Sequence, residues 1–186
     1  MRLFLAIQIP ENIRAAFAAL LNEFRSLAPQ LKWVRSENLH VTLKFLGETD
    51  PAKLAALQNA LASAHSPEPV NLEFHGLGFF PNEKRPRVFW AGIESSPNLK
   101  SLAAEIDHAA HRLDFPLEER PFSPHLTLAR ISLPSIPPKL LPAIAEKSTQ
   151  SFGSLSTSDF HLIESKLKPA GAEYTTLQSF RFASEA

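Results

Sequence analysis

Apolar residues along the chain follow two spacings, one typical of buried strands and one typical of amphipathic helices. Continuous apolar runs at residues 2–9 and 87–93 predict two strands. Each run is followed by apolar residues three or four positions apart, which predicts a helix, and then by an alternating segment, at residues 39–47 and 124–130. The chain therefore contains two strand-helix-strand units. The helical positions are Ile13, Phe17, Leu20, Leu21 and Phe24 in the first unit, and Leu99, Leu102, Ile106 and Leu113 in the second.

Further elements follow each unit. After the first, Pro51 opens a short helix and residues 70–80 are typical of a strand. After the second, a proline-rich connector leads to a helical piece near residues 140–147. Two alternating segments, 156–166 and 173–182, then predict a hairpin because a Lys-Pro-Ala-Gly turn separates them.

The two units align on each other without a gap at a constant offset of 85 residues. Residues 2–47 and 87–132 share nine identities, whereas ordinary residue usage predicts about three by chance. We interpret this as an internal duplication. It predicts an α+β fold, a single bilobal domain over residues 1–186 with two related lobes built on antiparallel sheets. The identical pairs are Arg2 and Arg87, Phe4 and Phe89, Ala6 and Ala91, Ala18 and Ala103, Ala19 and Ala104, Arg35 and Arg120, His40 and His125, Thr42 and Thr127, and Leu43 and Leu128.

Composition and charge narrow the possible functions. Hydrophobic residues make up 44% and charged residues 20% of the 186 residues, as in a globular protein. Because 19 basic residues balance 19 acidic ones, a nucleic-acid substrate would have to bind at a local basic site. The absence of cysteine excludes disulfides, cysteine-based zinc sites and thiol nucleophiles.

The amino-terminal segment does not have the features of a signal peptide. Its apolar run is interrupted by Pro10 and Glu11 and lacks a small-residue cleavage site. No uncharged apolar run approaches the roughly 20 residues of a membrane span. We therefore expect a cytoplasmic protein that does not associate with membranes, and a monomer by default.

A His-x-Thr sequence recurs in the last strand of each unit. Alternation along a strand places His40 and Thr42 on one face, and His125 and Thr127 likewise. A single such pair would more often be a buried histidine satisfied by a neighbouring hydroxyl. Its presence in both units, on the polar face of the strand, favours a paired catalytic site in one cleft between the lobes.

Two imidazoles suit a reaction that needs one general base and one general acid at neutral pH. The two hydroxyls add neutral donors for a charged group held between them. This symmetric arrangement indicates a phosphodiester substrate. Two neutral imidazoles without a paired carboxylate make a poor hydrolytic metal site, and no nucleophile elbow suggests a serine triad.

The stretches HVTLKFLG from His40 and HLTLAR from His125 resemble the twin motifs of the 2H phosphoesterase superfamily. RLFLAIQIP, PRVFWAGI and ESKLKPAGAEY are similar to its bacterial branch of RNA 2',3'-cyclic phosphodiesterases, also called 2'-5' RNA ligase-like or LigT-type proteins. The resemblance covers nearly the whole chain. It implies a bilobal fold with the motifs facing across a central cleft. It also implies hydrolysis of a terminal RNA 2',3'-cyclic phosphate to a 2'-phosphate with no metal or other cofactor.

The resemblance also implies a role for each motif residue. His125 would be the proton acceptor that activates water, and His40 the proton donor to the departing 3'-oxygen. Thr42 and Thr127 would hold the phosphate oxygens, with Arg130 as an additional phosphate-binding cation. From the residues themselves, the near equivalence of the two units leaves the acid and the base interchangeable.

Several neighbours of the motifs are further candidates for substrate binding. Strict alternation places Arg130 on the opposite face from His125, so a bulge or strand end would have to bring it round. Lys44, about 13 Å along the strand from His40, can meet a neighbouring RNA phosphate or be a solvated lysine. Bases can stack on an aromatic side chain in the cleft; the candidates are Phe45, Phe79, Phe80, Phe122 and Tyr174.

Other functions remain open from the sequence. Within the same superfamily they are 2'-5' RNA ligation and opening of a small cyclic phosphate such as one derived from ADP-ribose. A non-catalytic module that binds RNA ends is a different class. The neutral overall charge counts against this module, because a binder would be expected to have a larger basic surface.

Overall fold

A nine-stranded antiparallel sheet with helices packed on one face makes up the part of the chain that the computed structural model describes, residues 1–183. The strands are β1 (Arg2–Gln8), β2 (Lys32–Trp33), β3 (His40–Glu48), β4 (Val70–Phe80), β5 (Val88–Ser95), β6 (His125–Arg130), β7 (Ser151–Thr157), β8 (Asp159–Lys168) and β9 (Gly171–Arg181). The helices are α1 (Glu11–Leu27), α2 (Leu54–Leu61), α3 (Asn98–His111) and α4 (Leu140–Glu146).

The strand order is symmetric about the centre of the sheet. It runs β7-β4-β5-β6-β3-β1-β8-β9, with the short β2 attached to β6. The central strands β3 and β6 meet through one antiparallel pair, Val41 with Leu126, which we call the central pair. On each side of it lies one strand-helix-strand unit, extended by two more strands. The predicted α+β fold of two related halves is confirmed.

The hairpin of β8 and β9 and the strand β4 agree with the sequence prediction, but β7 was missed. Its two apolar residues, Phe152 and Leu155, are three positions apart and so do not alternate. Gly153 between them has a φ of 117°, which favours glycine. β7 is recognisable only from its pairing with β4 at the edge of the sheet.

The helices cover the face of the sheet opposite the cleft. Leu3, Leu5 and Ile7 of β1 point to this side, where α1 contributes Phe17 and Phe24 to a hydrophobic core shared by both halves. The helical spacing of apolar residues in the sequence therefore corresponds to the buried faces of α1 and α3, except that Leu113 lies beyond the end of α3. None of the described helices is long and apolar enough to span a membrane.

Equivalent positions in β1 and β5, the first strands of the two units, are not 85 residues apart as the gapless alignment implies. Ile7 lies opposite the β3 member of the central pair and Ala91 opposite the β6 member, which is an offset of 84 (91 − 7 = 84). Phe4 consequently faces the cleft, where it touches the His40 ring, whereas Phe89 packs in the core under the helices. The identity of Phe4 with Phe89 in the gapless alignment therefore does not mark equivalent positions.

Each histidine strand carries a one-residue bulge at the same place. The pairing of β3 with β1 skips Leu43, and the pairing of β6 with β5 skips Leu128. Both are the third residue after the histidine of their motif. Because a bulge exchanges the faces of the residues that follow it, the alternation predicted from the sequence breaks down beyond these positions.

Lys44 shows this exchange most clearly. It is only 3% exposed and lies on the helix side of the sheet. Its Nζ donates to Asp107 Oδ1 of α3 at 2.6 Å and to the Pro116 carbonyl at 2.8 Å, with Glu118 Oε1 at 3.7 Å. The predicted contact of Lys44 with an RNA phosphate is therefore wrong, because the bulge turns the amine away from the cleft and Asp107 neutralises it.

We predict that Asp107→Asn lowers the free energy of unfolding by about 3 kcal/mol, because it leaves a buried ammonium without its closest counter-charge. Urea unfolding measures this change. Asp114→Asn is the matched control, since Asp114 pairs with Lys53 at 3.6 Å but its side chain is 92% exposed; it should change stability by less than about 0.5 kcal/mol. If both substitutions lowered the free energy of unfolding equally, burial would not explain the contribution of the Lys44–Asp107 ion pair.

Candidate active site

The two histidines lie diagonally across the central pair, each at the start of its strand. Continuing the antiparallel register by one residue places His40 opposite Thr127 and His125 opposite Thr42. Diagonal neighbours of this kind have Cα atoms about 7–8 Å apart. The structure thus brings all four motif residues to one site on the concave face, with one imidazole on each side of the central pair.

Both imidazoles are held in the same way by the backbone just before the strand. His40 Nδ1 lies 2.7 Å from the Asn38 carbonyl, and His125 Nδ1 lies 2.8 Å from the Ser123 carbonyl. A carbonyl can only accept, so Nδ1 donates the hydrogen in both rings. Nε2 is left to accept a proton when the ring is neutral or to donate one when it is charged.

The surroundings of the His40 ring oppose its protonation. Burial lowers the pKa of His40 below the ordinary histidine value, and the hydrogen bond to the Asn38 carbonyl opposes this effect. The positive charges of Arg130 and His125 lower the pKa of His40 further. A proton on His40 is therefore unfavourable until negative charge enters the cleft.

Arg130 reaches the cleft because of the bulge at Leu128. Its side chain is exposed, and its guanidinium makes no hydrogen bond or ion pair within residues 1–183. Its positive charge lowers the pKa of His40, so it acts on one of the two motif histidines. The sequence placed Arg130 at the site only if its strand contained a bulge. The structure contains that bulge.

Aromatic rings enclose His40 on one side of the site. Phe4 lies 4.7 Å and Tyr174 5.4 Å from the His40 ring, measured between centroids. Burial raises the pKa of the Tyr174 phenol, while the positive charges of Arg130 and Arg2 oppose the rise. Of the aromatic residues predicted to line the cleft, Tyr174 lies beside His40. The charges of two arginines, Arg130 and Arg2, act on its hydroxyl.

Different aromatic residues border His125. Phe80 meets the His125 ring edge-on at 4.9 Å, and Trp90 packs against Phe80 at 5.2 Å. Trp90 was not among the candidates predicted from the sequence. With the observed offset of 84 it is equivalent to Ala6, whereas the gapless alignment at 85 paired Ala6 with Ala91. Phe79 is buried in the core and so does not lie in the cleft as predicted, whereas Phe122 is partly buried and packs against the core.

A cavity of about 330 Å³ opens beside His40. Its walls come from the end of β1, the segment before β3, the start of α1 and the edge strand β9. Most of the lining side chains are polar, and they include Gln8, Arg14, Asn38, His40, Tyr174 and Thr176. This volume suits a nucleoside. Across residues 1–183, no group of three or more His, Cys, Asp and Glu side chains is arranged to hold a metal ion.

Comparison with protein families and curated proteins gives consistent matches. The family model described as LigT like Phosphoesterase matches residues 7–90 and again residues 92–174. The chain is 34% identical to an RNA 2',3'-cyclic phosphodiesterase of Methanothermobacter thermautotrophicus, over 97% of this chain and 98% of the relative. It is 35% identical to a protein of the same name from Thermus thermophilus, over 100% of this chain and 92% of the relative.

Solved structures share the fold along almost the whole chain. The crystal structure of a Thermus thermophilus protein superposes with a TM-score of 0.77 at 32% identity, covering 98% of both chains. The E. coli LigT structure complexed with 3'-AMP superposes with a TM-score of 0.75 at 29% identity, covering 97% of both chains.

We predict that His40 titrates below the ordinary value of about 6.5 in the free protein. Arg130→Met should raise the pKa of His40, because it removes a positive charge that opposes protonation. Inorganic phosphate should also raise it, because an anion in the cleft stabilises the imidazolium. Chemical shifts of the ring protons, followed by NMR against pH, measure both changes; a fall in the pKa of His40 in either case would contradict this electrostatic account.

Proposed function

The chain belongs to the LigT-like phosphoesterase family, and on that premise we propose that it hydrolyses RNA 2',3'-cyclic phosphate ends to 2'-phosphomonoesters by a metal-independent, two-histidine reaction. The observation that carries the proposal is the diagonal placement of two imidazoles with free Nε2 atoms, each opposite a motif threonine. Relatives over the full length named RNA 2',3'-cyclic phosphodiesterase support the choice of substrate.

In the proposed complex the cyclic phosphate lies between His40 and His125. The hydroxyls of Thr42 and Thr127 donate to its two non-bridging oxygens, and Arg130 supplies a compensating positive charge. These groups also stabilise the additional charge that gathers on the phosphoryl oxygens in the transition state. The cleft thus holds the phosphorus atom between the two rings.

The cavity beside His40 supports the assignment of acid and base. In a phosphoryl displacement, the attacking and leaving oxygens lie roughly in line on opposite sides of phosphorus. If the terminal nucleoside occupies the cavity, the departing 3'-oxygen lies on the His40 side and water approaches from the His125 side. His40 is then the proton donor and His125 the proton acceptor.

The proposed reaction proceeds in one displacement. His125 Nε2 takes a proton from water as the water oxygen bonds to phosphorus, the bond from phosphorus to the 3'-oxygen breaks, and His40 Nε2 gives its proton to that oxygen. The products are a 2'-phosphate and a free 3'-hydroxyl. His40 must begin protonated, although its pKa is lowered in the free protein. The negative charge of the bound phosphodiester offsets the influence of Arg130 and stabilises this proton.

The test is to incubate the protein, with chelator present, with an oligoribonucleotide that ends in a 2',3'-cyclic phosphate. We expect a 2'-phosphate end, identified by phosphorus NMR. His40→Ala and His125→Ala should each lower kcat/KM by about 100-fold or more, since each removes one partner in proton transfer. His108→Ala, on the exposed side of α3, is the matched control and should retain wild-type activity.

Three results would overturn the proposal. One is an unchanged substrate, which would leave a module that binds RNA ends without turnover. Another is a 3'-phosphate product, which would require the 2'-oxygen to depart. The third is turnover that survives loss of both His40 and His125.

A further inference from the structure

We propose that Arg2, Phe4 and Phe45, here named the Arg2 strip, bind the nucleotide on the 5' side of the cyclic-phosphate nucleotide. The protein would then act on RNA ends of two or more nucleotides in preference to mononucleotide or other small cyclic phosphates. This inference rests on the proposed function and specifies the substrate class of the same cleft.

The strip lies on the same concave face as the catalytic candidates. Arg2, Phe4, Ala6 and Gln8 alternate with the core residues of β1, and Gln8 is the residue opposite His40. From Ala6, which lies opposite Thr42, the strand runs about 13 Å to Arg2. The strip therefore begins beside the phosphate site and leads away from it.

Phe45 provides a surface on which a base can stack. The bulge at Leu43 turns it to the concave face, where it lies opposite Phe4. It is 59% exposed, whereas Phe4 beneath it is 3% exposed and supports it at a centroid distance of 6.2 Å. An exposed ring that is held by a buried one is a rigid stacking surface, and stacking on aromatic side chains accepts any base.

Arg2 provides a cation at the far end of the strip. It is exposed, and its guanidinium has no hydrogen bond or ion pair among the described residues. Glu48, the residue across from it on β3, instead extends to the Met1 ammonium at 3.7 Å. The charges of Arg2 and Arg130 both act on the Tyr174 hydroxyl, so Arg2 shares the electrostatic surroundings of the site.

This arrangement suits a nucleic-acid chain better than a small ligand. Phosphates alternate with bases along single-stranded RNA, and the cleft offers Arg130 beside the motif histidines, then Phe45, then Arg2. Cationic side chains interspersed with aromatic ones are typical of surfaces that bind single strands. A mononucleotide cyclic phosphate would fill the phosphate site and leave both Phe45 and Arg2 without a contact.

The experiment compares kcat/KM for a 5'-phosphorylated dinucleotide and for a mononucleotide, both of which end in a 2',3'-cyclic phosphate on the same base. We expect the ratio of the two values to be about 100 or more in the wild-type protein, and Arg2→Met and Phe45→Ala each to lower it by about tenfold. Arg25→Met, on the exposed side of α1, and Leu141→Ala, 47% exposed on α4, are matched controls that should leave the ratio unchanged.

A second dinucleotide, abasic at its 5' residue, separates the two contributions. Its kcat/KM, relative to that of the mononucleotide, should lose the increase that comes from stacking on Phe45 and keep the increase that comes from Arg2. Because added salt screens the Arg2 contribution, this remaining advantage should weaken as ionic strength rises in the wild-type protein and not in Arg2→Met.

Calorimetric binding of the 2'-phosphorylated dinucleotide and mononucleotide measures the same preference without turnover. The inference therefore stays testable even if the proposed hydrolysis fails. Equal affinity and equal kcat/KM for the two chain lengths in the wild-type protein would overturn the inference. So would a preference that both Arg2→Met and Phe45→Ala leave intact.

Discussion

The antiparallel contact between Val41 and Leu126 is the constraint on which the rest of the structure depends. It joins the two half-sheets, and each histidine lies one residue before a member of this pair. Both imidazoles consequently face the same side and meet diagonally across the joint. A register shift of one residue in either strand would turn its histidine toward the helices, so the core packing of Val41 and Leu126 also positions the site.

The two equivalent bulges turn different kinds of side chain into the cleft. Both occur three residues after the histidine, and both turn the fifth residue after it into the cleft. In one half this residue is Phe45, and in the other it is Arg130. One half therefore presents an aromatic surface, while the other presents a cation close to His40. Equivalent backbone geometry thus places different side chains at equivalent positions of the two halves.

The sequence predicted the features that depend on local periodicity and missed those that depend on distant partners. The helices, most of the strands and the faces of His40 and His125 follow from spacing alone, whereas β7 does not. The buried position of Lys44 does not, because its counter-charge, Asp107, lies 63 residues away on α3. Strict alternation cannot detect a bulge, so the sequence could state only that Arg130 needed one. Trp90 was missed because a gapless alignment concealed the shift by one residue in the first strands.

The pH dependence of kcat/KM on an RNA 2',3'-cyclic phosphate end, in the wild-type protein and in each single histidine variant, tests the paired acid-base site most directly. The wild-type profile should be bell-shaped, because the base must be unprotonated and the acid protonated. Residual activity of His40→Ala should lack the alkaline limb, and that of His125→Ala the acidic limb. A flat wild-type profile between about pH 5 and 8, or two limbs that persist in both variants, would contradict the account.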